Sequence, residues 1–124
     1  MQQVKKKLRT KSSREIARLC VRTAIEKKAE DPIILDVRKL CSFTDYFVIC
    51  NGETDRQITA IQEEIQSALK SKGIIAHHSE GTADSGWVLL DLGSVIVHIF
   101  SPQMRDYYKL DDLWNKAIPV IRIQ

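Results

Sequence analysis

The chain has 124 residues, 44% of them apolar and 28% charged, with a formal net charge of +3. That is enough for one globular domain with its own core and too little for two. No apolar run reaches the ~18 residues of a membrane span, so no membrane-spanning segment is expected, and composition alone leaves the function open.

In chain order, the first fourteen residues hold Lys5, Lys6, Lys7, Arg9, Lys11 and Arg14 and no acid. The rest carries 13 bases against 16 acids, a net −3, so the domain proper is mildly acidic. A fold built mainly to grip phosphate backbones usually carries its positive charge on the folded surface. Residues 1–11 read as a basic, flexible leader, either a solvated arm or a weak, salt-sensitive RNA contact. The leader lacks an apolar h-region and a small-residue cleavage site, so it is not a secretory signal. Its acid-free composition is faintly transit-like, but a bacterial cytoplasmic location is the expectation. Three cysteines, Cys20, Cys41 and Cys50, with no C-x-x-C pair, fit free thiols in a reducing compartment.

Ser12 and Glu15 form a capping box. Behind them Ile16, Leu19, Cys20, Thr23 and Ala24 mark one face of a helix that Lys27 and Lys28 suit at its end and Asp31-Pro32 stops. Residues 33–37 and 46–50 read as strands. Thr54 and Gln57 repeat the capping box, and Ile58, Ile61, Ile65, Ala68 and Leu69 line a second helix closed by Gly73. Residues 74–78 look like an edge strand and 79–86 a loop. Residues 87–90 and 95–100 are strands joined by the tight turn Asp91-Leu92-Gly93-Ser94. Pro102 opens a short helix through Tyr108. A further helical turn over 110–114 precedes a tail, 119–124, containing Pro119. The expectation is one α+β domain over 12–118, with a mixed five-stranded sheet flanked by helices.

Catalytic signatures are missing: no G-x-S-x-G, P-loop, G-x-G-x-x-G or H-E-x-x-H occurs. His77 and His78 are neighbours on a predicted strand and point to opposite faces, which does not suit a shared metal. His98 shares a strand face with Ile96 and Phe100 and reads as a hydrogen-bonded structural histidine. Two-metal chemistry needs converging acids. Neither Asp36 nor Asp91 has a carboxylate two residues on, and Asp91 reads as a turn former. No metal or cofactor is expected.

What remains resembles a binding surface. Both tryptophans and two of the three tyrosines fall in the last third: Trp87, Tyr107, Tyr108 and Trp114. Leu92, apolar at the tip of a polar hairpin, is expected to face water. Trp, Tyr and exposed Leu are common anchors of protein contacts. Leu110 and Trp114 are expected to pin the C-terminal segment to the core.

The same residues carry a family likeness. Thr44-Asp45-Tyr46-Phe47-Val48-Ile49, Gly52 and Asp55-Arg56-Gln57 resemble the T-D-Y-F-V-I…G…D-R-Q signature of the ribosomal silencing factor family, RsfS, also called Iojap or YbeB. Glu80-Gly81, the run 86–93, the run 95–100 and the run 105–114 extend the match from about Ser12 to Trp114. Departures are Cys41-Ser42-Phe43 and Ser94, where an acid is frequent. The resemblance implies a nucleotidyltransferase-like fold without the catalytic acids. It also implies a non-enzymatic role: binding large-subunit ribosomal protein fourteen, blocking subunit joining and lowering translation when nutrients are scarce. By family position Trp87 and Leu92 would be the anchors, Asp91 and Glu80 would face a basic partner, and Tyr108 and Lys109 would flank the patch. The alternatives are a nucleotidyltransferase-fold enzyme, needing acids such as Asp36 and Asp91 to meet in space, and an RNA-binding accessory factor of ribosome assembly led by the basic leader. An exposed apolar patch on the hairpin also suits a homodimer off the ribosome.

Overall fold

The structure, a computed structural model, describes residues 12–110 and 118–122. The leader, and most of the helical turn expected over 110–114, lie outside the described residues. The first helix, α1 (Ser13–Glu26), starts as its sequence dictates. Ser12 Oγ accepts from the Glu15 amide at 3.1 Å, and the Glu15 carboxylate accepts from the Ser12 amide at 3.2 Å. The helix ends earlier than Asp31-Pro32, at a Lys27 cap followed by Lys28 in a left-handed conformation (φ 63°). Pro32 instead sits inside β1 (Glu30–Asp36), where the pairing register shifts between Glu30 and Ile33. A residue without an N–H fits such an irregularity.

β2 (Tyr46–Asn51) leads into α2 (Asp55–Lys70). Thr54 Oγ1 accepts from the Gln57 amide at 3.1 Å, half of the expected capping box. The Gln57 side chain is used elsewhere. Its Oε1 accepts from the Glu53 amide at 2.6 Å, and its Nε2 donates to the carbonyls of Lys27 and Lys28 at 3.0 and 2.9 Å. Gln57 thereby ties the end of α1 to the start of α2, which gives the D-R-Q stretch a structural meaning.

β3 (His78–Glu80) is shorter and later than the strand expected over 74–78. Ile74 and Ala76 turn back onto the helical layer, so that part of the apolar run packs without joining a ladder. A 3-10 turn (Ala83–Ser85) then leads to β4 (Trp87–Asp91), β5 (Val95–Phe100) and α3 (Pro102–Tyr108). A sixth strand, β6 (Ile118–Arg122), lies where the sequence reading placed a tail. Pro119 signals against a central strand, but β6 is an edge strand and Pro119 falls where its register against β1 shifts.

The result is an α+β domain around one mixed sheet, in the order β3-β4-β5-β2-β1-β6. The β2–β5 pair is parallel and the others are antiparallel. Side-chain alternation divides the core in two. Ile34, Val48, Cys50, Val88, Leu90, Val97 and Ile99 meet α1 and α2 on one face. Ile33, Leu35, Phe47, Ile49, Ile96 and Phe100 form a second cluster on the other, with Val37, Cys41 and Leu110 closing over it. Leu110 thus packs on the core as expected, while Trp114 lies outside the described residues.

Candidate functional site

The second face carries a chain of aromatic rings. Trp87 stacks on Phe100 at a centroid distance of 5.1 Å and meets Tyr108 at 4.5 Å; Tyr108 meets Tyr107 edge-on at 5.1 Å. The arrangement follows from local sequence. Trp87 opens β4 on the face away from α1 and α2. Ser101 caps α3, accepting from the Met104 amide at 3.2 Å, and Pro102 fits the first turn. α3 buries no residue of its own. Arg105 anchors it, donating to the Asp31 carbonyl at 2.6 Å and to Asn51 Oδ1 at 3.1 Å. The helix therefore holds Tyr107 and Tyr108 outward beside Trp87, at 75% and 41% exposure.

His98 supports Trp87 from beneath. Its Nδ1 accepts from Trp87 Nε1 at 3.2 Å, and its ring stands edge-on to Phe47 at 4.8 Å. This is the hydrogen-bonded structural histidine read from the sequence. Accepting at Nδ1 leaves the proton of the neutral ring on Nε2, which has no partner among the described residues. Burial pushes the His98 pKa down to about 4, so the ring stays neutral at ordinary pH.

Register places the acids. β3 sets His78 opposite Asp91 and Glu80 opposite Leu89, so all four side chains share the outer face with Trp87. Glu80 is exposed and pairs with His78 Nε2 at 2.7 Å. Asp91 Oδ1 accepts from the Gly93 amide at 2.8 Å, the turn-forming role expected of it. Lys109 caps α3 in a left-handed conformation, exposed, with its Nζ 3.3 Å from Asp106.

Leu92 departs from expectation. It is 5% exposed and belongs to the core cluster under α1 and α2, so it does not face water. Trp87 and Leu92 point to opposite faces of the sheet and do not form one patch. The signal was available: along an extended strand, positions five apart have opposite parity. Sequence reasoning also passed over Leu89, which is partly buried beside Trp87. Phe43, one of the family departures, is 67% exposed on the loop that covers this face through Val37 and Cys41.

Asp36 and Asp91, the acids that a nucleotidyltransferase-fold enzyme would bring together here, do not meet. Asp36 ends β1 and Asp91 ends β4, with β2 and β5 between them, which is roughly 14 Å at the usual strand spacing. Asp36 is held bidentate by Arg38 at 2.9 and 2.7 Å, which keeps its carboxyl below the usual range. Among the described residues no cluster of His, Cys, Asp and Glu could hold a metal, and no helix is long and apolar enough to cross a membrane.

Gly81 fixes the approach to this surface. Its φ is +83°, and a Cβ there would lie 2.0 Å from the Trp87 carbonyl oxygen. Gly81→Ala is expected to lose at least about 1–2 kcal/mol of stability, because left-handed strain and displacement of the β4 backbone add. Urea unfolding of the variant beside wild type measures it, and an unchanged midpoint would refute it.

Residues 10–124 match the family model described as ribosomal silencing factor during starvation. The chain belongs to the ribosomal silencing factor family. It is 38% identical to ribosomal silencing factor RsfS of Bacillus subtilis, covering 86% of this chain and 90% of that one. It is 35% identical to RsfS of Halalkalibacterium halodurans over 91% of this chain and 96% of that one. The fold is similar to the crystal structure of a Chromobacterium violaceum protein at a TM-score of 0.81 and 35% identity, covering 85% of this chain and 88% of that chain. The family's description, ribosomal silencing during starvation, is a regulatory role.

Proposed function

We propose that this protein represses translation by docking its aromatic face on the large ribosomal subunit, through ribosomal protein fourteen, and occupying the space where the small subunit joins. The observation that carries this reading is the outward Trp87–Tyr108–Tyr107 cluster on a rigid sheet, flanked by the carboxylates of Glu80 and Asp91. Aromatic groups of this kind anchor protein contacts. Acidic neighbours steer a basic ribosomal protein toward them. Leu92 takes part by holding the hairpin from inside, and Lys109 stands at the rim. The action is steric and stoichiometric, with no turnover step. It takes place where ribosomes assemble, in the cytoplasm. Off the ribosome the same face is available to a second copy.

Sedimentation tests the proposal. The chain should travel with isolated large subunits and not with joined ribosomes. Adding it to a mixture of subunits should lower the joined fraction in proportion to occupancy. Equal binding to joined ribosomes, or none to large subunits, would remove the steric mechanism.

A further inference from the structure

The helical side of the domain carries a second feature, remote from the aromatic face. A cleft of about 300 Å³ is lined by Glu15, Arg18, Leu19 and Arg22 of α1 and by Lys72, just after α2. Arg18 and Arg22 are four residues apart on α1, about 6 Å along its axis. Glu15 is committed to the capping box at Ser12. Among the described residues, Arg18, Arg22 and Lys72 have no ion-pair partner. Glu15 keeps its charge in that cap, so a domain that is acidic outside its leader sets three cations against one anion around this concavity.

Such a site attracts a polyanion. Guanidinium forks match phosphate oxygens two at a time, and a lysine adds a point charge. Among the described residues, the lining contains no aromatic on which a base could stack. It therefore suits backbone contacts that carry no sequence information. Arg14 stands one turn before Arg18 on α1, so the row of cations runs on along the helix past the cleft. A repeating phosphate chain answers that distribution better than a single small anion. We propose that the cleft between α1 and the turn after α2 binds consecutive phosphates of an RNA backbone. Because α1 and α2 cover the face opposite Trp87, the protein would touch RNA and its docking partner on opposite sides. The inference uses the proposed function only to supply a setting rich in RNA, and its test needs no ribosome.

The test is fluorescence anisotropy of a labelled RNA duplex of about 16 base pairs, titrated with the full-length chain over a range of salt. Arg18→Gln, Arg22→Gln and Lys72→Gln combined should weaken binding at least about tenfold at low salt. The slope of log affinity against log salt should shrink by about 2.7, roughly 0.9 for each of the three cations removed. Tyr108→Ala should bind RNA as wild type does. These side chains are exposed, so thermal unfolding should not change. Wild-type RNA affinity in the triple variant would overturn the proposal. So would a loss seen only with Lys5→Gln, Lys6→Gln and Lys7→Gln, which would place the contact in the leader. Binding of inorganic triphosphate, lost in the triple variant, without any RNA binding would make this a small-anion site and overturn the RNA assignment. Failure of large-subunit binding with RNA binding intact would instead count against the proposed function alone.

Discussion

Truncating Trp87 and Tyr108 together to alanine is expected to weaken binding to the large ribosomal subunit by at least about 2 kcal/mol, roughly thirtyfold. The rings meet at 4.5 Å, and Tyr108 is 41% exposed on a helix that touches the core through Met104 and buries no residue fully. Tyr108→Ala alone is the cleaner probe, because Trp87 also rests on Phe100 and bonds to His98. Leu92→Ala provides the contrast. Buried under the helices, it should cost about 2–5 kcal/mol of folding stability while the folded fraction binds as wild type does. Co-sedimentation read beside denaturant curves separates the two effects. Normal binding by the double variant, together with a true affinity loss in folded Leu92→Ala, would move the docking surface to the hairpin tip.

His98 is expected to make the fold acid-sensitive well before the carboxylates titrate. Folded, its pKa is held down to about 4 by burial; unfolded, it returns to the ordinary 6.5. Above pH 6.5 the ring is neutral in both states and costs nothing. As pH falls from 6.5 toward 4, only the unfolded chain takes up the proton, so stability drops, by about 3 kcal/mol in all. Below pH 4 this loss levels off. Asp36, whose folded pKa is lowered by Arg38, adds its own loss only at more acid pH. Urea midpoints at pH 7, 5 and 4 measure the slope. His98→Asn keeps an acceptor for the Trp87 indole and has no titrating ring, so its curve should be flatter by about that amount. An equally steep curve in the variant would assign the sensitivity to other groups.

Much of this fold was legible because the local signals agreed with the tertiary result. S-x-x-E at Ser12, the apolar faces of both long helices, the β4–β5 hairpin and Pro102 at the start of α3 each appear where the pattern put them. The misses share a cause: tertiary packing overrode a local cue. Pro119 marked a tail, yet an edge position tolerates the missing N–H. Ile74 and Ala76 suggested pairing and instead pack on helices. Leu92 looked stranded at a polar tip, but the turn swings it under α1 and α2. Trp87 and Tyr108 were found as residue types. Their contact across 21 positions depends on Arg105 reaching Asp31 and Asn51, which no periodicity reveals.

The two rims of the sheet bear on behaviour at high concentration. β3 offers only three residues, all exposed, and on the opposite rim β6 carries a proline. Neither presents the long, flat row of free amides that templates fibril growth. At high concentration, copies of this chain therefore lack a described sheet rim along which to zip edge to edge.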